Sequence, residues 1–187
     1  MNRKETTKFL SEILEQTRLS GMGKYYAKEV SLDYGTNKVK RVDYLQFVPP
    51  RALFPSDIEK GIFICYEIKS CKEDVYSGNG LNFIGEKNYI VTTMQCYKDL
   101  QEDMRTGKLD KHILSTNPES SYYYGIMVAT PYTMPNTTDD KCAEYENPTP
   151  LSRDIKWQLT TMVNCHEGPR KRSINELLFL MLRAGQK

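Results

Sequence analysis

Residues 61–70 read Gly61-Ile62-Phe63-Ile64-Cys65-Tyr66-Glu67-Ile68-Lys69-Ser70, an apolar run that ends in an acid and a base. β-Branched and aromatic residues dominate it, which predicts a strand over 62–69. Side chains alternate along a strand. Ile62, Ile64, Tyr66 and Ile68 therefore face one way, and Phe63, Cys65, Glu67 and Lys69 the other. A carboxylate and an ammonium then stand together at the end of a buried element. Buried charge is costly unless it is paired or holds a metal, so this placement marks Glu67 and Lys69 as candidates for chemistry.

Upstream, Tyr25 to Tyr34 and Lys38 to Val48 are rich in Tyr and Val, and Gly35-Thr36-Asn37 between them reads as a hairpin turn. Alternation along the second arm puts Val39, Arg41, Asp43, Leu45 and Phe47 on one face, leaving Asp43 as an acid among mostly apolar neighbours. Before the hairpin, Lys4 to Leu19 sets Phe9, Leu10, Ile13 and Leu14 at helical spacing, and Gly21 and Gly23 end the pattern. Downstream, the polar stretch Ser70 to Lys87 reads as loop or as a short broken helix. Tyr89 to Thr93 is then a short buried strand, Gln95 to Thr106 a helix stopped at Gly107, and Tyr122 to Ala129 another strand. Ser173 caps an apolar helix, Ile174 to Ala184.

The chain of 187 residues suits one core domain, expected over 1–129. Residues 130–154 carry four prolines (131, 135, 148 and 150) and predict a surface excursion, and 155–187 form a segment whose helix packs on the core. Hydrophobic content of 39% with 27% charged residues excludes a disordered chain, and no apolar run approaches membrane-spanning length. The amino-terminal residues lack the apolar run of a secretory signal, and the five cysteines are odd in number and widely spaced. Both features predict a cytoplasmic protein with reduced thiols. A net charge of +2 does not announce nucleic-acid binding; local basic clusters at Lys38, Lys40 and Arg41 and at Arg170, Lys171 and Arg172 are the candidate phosphate contacts.

The order helix, strand, strand bearing Asp43, strand ending in Glu67-Ile68-Lys69, uncertain crossover, strand resembles the PD-(D/E)XK nuclease superfamily. The residues that carry the resemblance are Arg41-Val42-Asp43-Tyr44-Leu45, Cys65-Tyr66-Glu67-Ile68-Lys69-Ser70, Phe83-Ile84-Gly85 and Lys87-Asn88-Tyr89-Ile90-Val91. The closer likeness is to phage and mobile-element members allied to the MmcB-like DNA-repair proteins. It implies an α/β fold with a mixed central sheet flanked by helices and a restriction-endonuclease-like α-β-β-β-α-β core. The chain departs from many relatives in its proline-rich connection between Asp43 and Glu67, in having Glu86 where they have histidine, and in the acids Glu73 and Asp74.

By this resemblance Asp43 and Glu67 are ligands of Mg2+ or Mn2+, the backbone carbonyl of Ile68 is a third, and Lys69 orients water or stabilises the transition state. Hydrolysis of a phosphodiester needs a water activated at neutral pH and a cation against the charge that builds on phosphate, which is why hard carboxylate oxygens are wanted. A helix acid is a further expectation, with Glu5 and Glu12 the candidates. The expected activity is metal-dependent hydrolysis of DNA phosphodiester bonds. The alternative is an inactive nuclease-fold protein of a phage or mobile element that binds DNA or a protein partner.

Overall fold

Amphipathic spacing at the amino terminus produces α1, Arg3–Leu14, in the computed structural model, which describes residues 1–37, 39–50, 55–121, 123–132 and 156–185. Asn2 and Glu5 cap it reciprocally, each backbone N–H donating to the other's side chain at 2.9 Å. The helix widens into a π-type turn over Glu15–Leu19, and Leu10, Ile13, Leu14 and Leu19 are buried along its inner side.

Among the described residues six strands follow: β1 Tyr25–Leu32, β2 Lys40–Val48, β3 Ile62–Ile68, β4 Lys87–Thr92, β5 Gly125–Pro131 and β6 Trp157–Val163. They lie in chain order in one mixed sheet. β1, β2 and β3 are antiparallel, β3, β4 and β5 are parallel, and β6 returns antiparallel to β5. Parallel neighbours need crossovers. The first contains only the four-residue α2, Lys72–Val75, and the second contains α3, Met94–Arg105, and α4, Lys108–Thr116. The last helix, α5, is Ile174–Ala184, and its N-cap Ser173 hydroxyl accepts from the Glu176 N–H at 3.2 Å.

Helices cover both faces of the sheet, giving an α/β fold. α1 packs on Tyr44, Tyr66, Ile68, Val91 and Met127. On the other face Leu100, Leu109 and Ile113 of α3 and α4 meet Ile90, Ile126 and Val128. Beside them, α5 seats Leu177, Leu180 and Met181 on Val30, Leu32, Val42 and Leu45. In β3 the period of two is obeyed: Phe63 and Cys65 join the α5 cluster, while Tyr66 and Ile68 join that of α1.

β2 departs from strict alternation. Val42 shares a cluster with Leu45 and Phe47, and Arg41 is exposed, so the expected common face of Val39, Arg41, Asp43, Leu45 and Phe47 is not formed. The break is shared with the neighbouring strand. Glu29 adopts φ 51°, and the Glu29/Asp43 position is missing from an otherwise constant β1–β2 register. The local twist turns Val42 into the core and frees Asp43 from regular pairing.

The sheet extends past the boundary expected at 129, since β5 reaches Pro131 and β6 pairs with it. Residues 133–155, most of the expected excursion, lie outside the described residues. Among the described residues no helix is long and apolar enough to cross a membrane, and Cys65, Cys71, Cys96 and Cys165 are free thiols.

Candidate functional site

The parallel strands β3, β4 and β5 bring their carboxyl ends to one edge of the sheet, where ligands of open α/β sheets gather. Glu67, Ile68 and Lys69 stand at that end of β3. The pairing of β2 with β3 ends at Tyr44 and Tyr66, which leaves the Ile68 N–H without a strand partner. Asp43 fills the gap, its Oδ2 accepting from that N–H at 2.9 Å. On the other side Lys69 remains in the ladder, its N–H donating to the Val91 carbonyl at 2.9 Å, and the Thr92 hydroxyl donates to the Lys69 carbonyl at 2.6 Å. The backbone groups of Ile68 are thus turned towards β2 and the Asp43 carboxylate.

Glu67 is 1% exposed and Lys69 is 4% exposed. The loop over residues 77–82 closes against both. The Asn79 carbonyl accepts from Lys69 Nζ at 2.7 Å, and the Asn82 N–H donates to Glu67 Oε1 at 3.3 Å. Asn117 Nδ2 donates to the Gly80 carbonyl at 2.8 Å and Ser120 Oγ to the Leu81 carbonyl at 2.9 Å, which fixes the loop from beneath. Gly80 has φ 76°, and a Cβ there would lie 2.6 Å from Glu67 Oε2 and 2.9 Å from Lys69 Nζ. Gly80→Ala is expected to destabilise the protein by about 1–3 kcal/mol, from the left-handed backbone and the clash together. A melting temperature within about 1 °C of wild type would show that the loop does not press on the pair.

Glu67 Oε2 is buried without a hydrogen-bond partner. Burial, reinforced by the negative charge of Asp43 and offset in part by the Lys69 ammonium, pushes the Glu67 carboxyl up to about 8. Burial also raises Asp43, against the opposing pull of the Ile68 N–H and of Lys69. Asp74, at the start of the β3–β4 crossover, extends the group. Its Oδ1 lies 4.0 Å from Lys69 Nζ, its Oδ2 accepts from the Ser70 N–H and hydroxyl at 3.1 Å each, and the Arg3 guanidinium from α1 pairs with it.

These side chains line a cleft of about 750 Å3 together with Thr7, Lys40, Arg41, Asn82 and Asn117. Of the expected phosphate contacts, Lys40 and Arg41 face it, and Lys38 lies outside the described residues. Glu5 is held in the helix cap and Glu12 is an exposed residue 3.9 Å from Lys8, so neither expected helix acid lines the cleft. The face that α1 turns to the cleft carries Arg3 and Thr7 instead.

Arg170, Lys171 and Arg172 are not in the cleft either. Arg172 forks onto Asp33 at 2.8 and 3.0 Å and reaches Glu176 at 2.8 Å; Arg170 lies 3.3 Å from Glu86, and the Lys171 N–H donates to the Ile84 carbonyl. They tie the carboxy-terminal segment to the sheet. Asp74 and Arg3 are the site residues that sequence reasoning left out of the candidate set. The Ser70/Asp74 spacing and the Arg3/Thr7 spacing, each four residues, were the available signals.

Asp43, the orphaned Glu67 Oε2 and the Ile68 carbonyl form a set of hard oxygen donors, which fits Mg2+ or Mn2+ rather than a thiophilic metal. Among the described residues no group of three or more His, Cys, Asp or Glu side chains is placed to hold a metal ion. A cation held here would have to draw on two carboxylates, a backbone oxygen and water. Comparison of the chain with family models, with curated proteins and with solved structures finds no match.

Proposed function

We propose that this cleft hydrolyses DNA phosphodiester bonds with Mg2+ or Mn2+, on a restriction-endonuclease-like core. The observation that carries the reading is the buried, unpartnered Glu67 Oε2 beside Asp43 and Lys69 at the floor of an open cleft. A buried carboxyl oxygen with nothing to bond is costly to ionise, and a divalent cation is the partner that converts it into a ligand. The element order α1-β1-β2-β3-α2-β4 supports the reading, since it has the α-β-β-β-α-β sequence of types, although α2 is only four residues long.

In this reading Asp43, Glu67 and the Ile68 carbonyl would hold the cation, which would supply charge neutralisation at the phosphate and make water nucleophilic near neutral pH. Lys69, fixed at the Asn79 carbonyl, orients the attacking water or meets the charge on the non-bridging oxygens. Lys40 and Arg41 receive flanking phosphates without reading sequence. The test is incubation of the purified protein with Mg2+ or Mn2+ and single-stranded, double-stranded or branched DNA, alongside calorimetry of metal binding. Cleavage, and metal binding that Asp43→Ala removes, are expected. No cleavage of any form and no metal binding overturn the proposal.

A second reading is favoured by the burial of Glu67 and Lys69 under loop 77–82: a nuclease-fold protein that binds DNA or a protein partner without cutting. Metal-independent DNA binding with no hydrolysis is its signature.

A further inference from the structure

A second cavity, also about 750 Å3, lies against the first. Thr7, Arg41, Asp43 and Ile68 line both, so the two are arms of one groove that meet at Asp43. Arg3 and Lys40 flank the first arm; Ser11, Tyr26 and Lys28 flank the second. Arg3, Thr7 and Ser11 are spaced by four, which places them in one stripe along α1 about 12 Å long at the helical rise. Duplex DNA advances about 3.4 Å per nucleotide along each strand, so this stripe outlasts a single nucleotide.

We infer that the groove takes an unpaired DNA strand that enters by one arm and leaves by the other, so that cleavage is internal and requires no free end. An enzyme that works from a terminus needs a wall or a charge that stops the strand beyond the scissile phosphate. Here the groove instead continues past Asp43: Arg41 stands at the junction, Lys28 lies beyond it, and the one further acid of the second arm, Glu29, is paired with Arg41 at 3.6 Å rather than set across the path. The second arm combines Lys28 with the half-buried ring of Tyr26, the pairing of a backbone contact and a base-stacking surface that suits single strands. Lys28 is held at this place by Glu15 at 2.7 Å and by the Tyr44 ring, 5.9 Å from its centroid.

This inference rests on the hydrolytic reading above, and the experiment separates the two. Covalently closed circular single-stranded DNA and a linear strand of the same sequence are incubated with the protein and Mn2+. The expected result is that the circle is opened at a rate within about tenfold of the linear strand. Degradation of the linear strand with the circle intact overturns the through-path and leaves the hydrolytic reading standing. Survival of both overturns the two together.

Binding of an unpaired strand of about twenty nucleotides gives a second readout that does not depend on cleavage. Tyr26→Ala combined with Lys28→Ala is expected to weaken it about tenfold, as loss of one stacked base and one phosphate contact should. Unchanged affinity removes the second arm from the path.

Discussion

At pH 8.5 the Glu67→Gln protein is expected to be more stable than the wild type by on the order of a few kcal/mol, with the difference nearly gone at pH 5. Burial and the neighbouring Asp43 raise the Glu67 carboxyl from an ordinary 4.5 to about 8. A carboxyl with a folded-state value above its unfolded one keeps its proton longer in the folded chain. The wild type is therefore unpenalised below about pH 4.5 and loses stability as pH rises towards about 8, where the loss levels off. Asp43, also raised, acts in the same direction, and the Lys69 ammonium limits both effects. Glu15 and Asp33 are lowered and titrate below this window.

Glutamine has no proton to lose and keeps the shape, so its stability should not fall with Glu67 across this range. Urea denaturation at pH 5, 7 and 8.5, with the slope checked for constancy, reads the difference directly. Added Mg2+ or Mn2+ at pH 8.5 is expected to stabilise the wild type and to leave Glu67→Gln unmoved, because the ion binds the ionised carboxylate. Parallel pH curves for the two proteins would remove Glu67 as the source.

The pair behind this prediction was legible in the sequence because an apolar run, residues 62–66, leads directly into Glu67-Ile68-Lys69 and puts the charges at the end of a buried strand. The degree of burial was not. It depends on the loop over 77–82, whose Ser, Gly and Asn residues announce a turn but not the surface it closes on. That surface is set by Asn117 and Ser120, more than thirty residues downstream.

The rest of the fold divides in a similar way. Ile174–Ala184 stands out because apolar residues at helical spacing follow a capping serine. β6 does not, because Trp157–Val163 is an edge strand in which Gln158, Thr160 and Thr161 interrupt the apolar residues and only Leu159 is buried. α4 shows only Leu109 and Ile113 to the core, too short a pattern to separate from its polar neighbours. At Asp43 the expected alternation does not hold, yet the carboxylate still reaches the Ile68 N–H. A register gap shared by Glu29 and Asp43 accompanies the turn of the carboxylate towards Ile68, and no period within β2 encodes it. The tail basic triplet lies away from the cleft for a complementary reason: charge clustering does not reveal that acids at 33, 86 and 176 will meet Arg170 and Arg172.

Lys69→Met is expected to lower the rate of DNA cleavage by about 10²–10³ while leaving metal binding in place, whereas Asp43→Ala is expected to remove both. The difference follows from what each side chain touches. Asp43 offers a carboxylate to the cleft and holds the Ile68 N–H, so its loss takes away a donor and loosens the end of β3. Lys69 contributes no oxygen. Its Nζ donates to the Asn79 carbonyl and lies 4.0 Å from Asp74 Oδ1, so its charge rather than any ligating atom is what the substitution removes.

Methionine keeps the length of the lysine stem and removes only the ammonium. Without that charge Glu67 should hold its proton more tightly, so the variant's metal affinity is best measured near pH 8.5, where the carboxylate is populated. Single-turnover cleavage with Mn2+, paired with calorimetry on the same preparations, separates the two roles. Equal loss of metal binding in Lys69→Met and Asp43→Ala would assign Lys69 to holding the site's charge balance. Full cleavage by Lys69→Met would remove it from the chemistry.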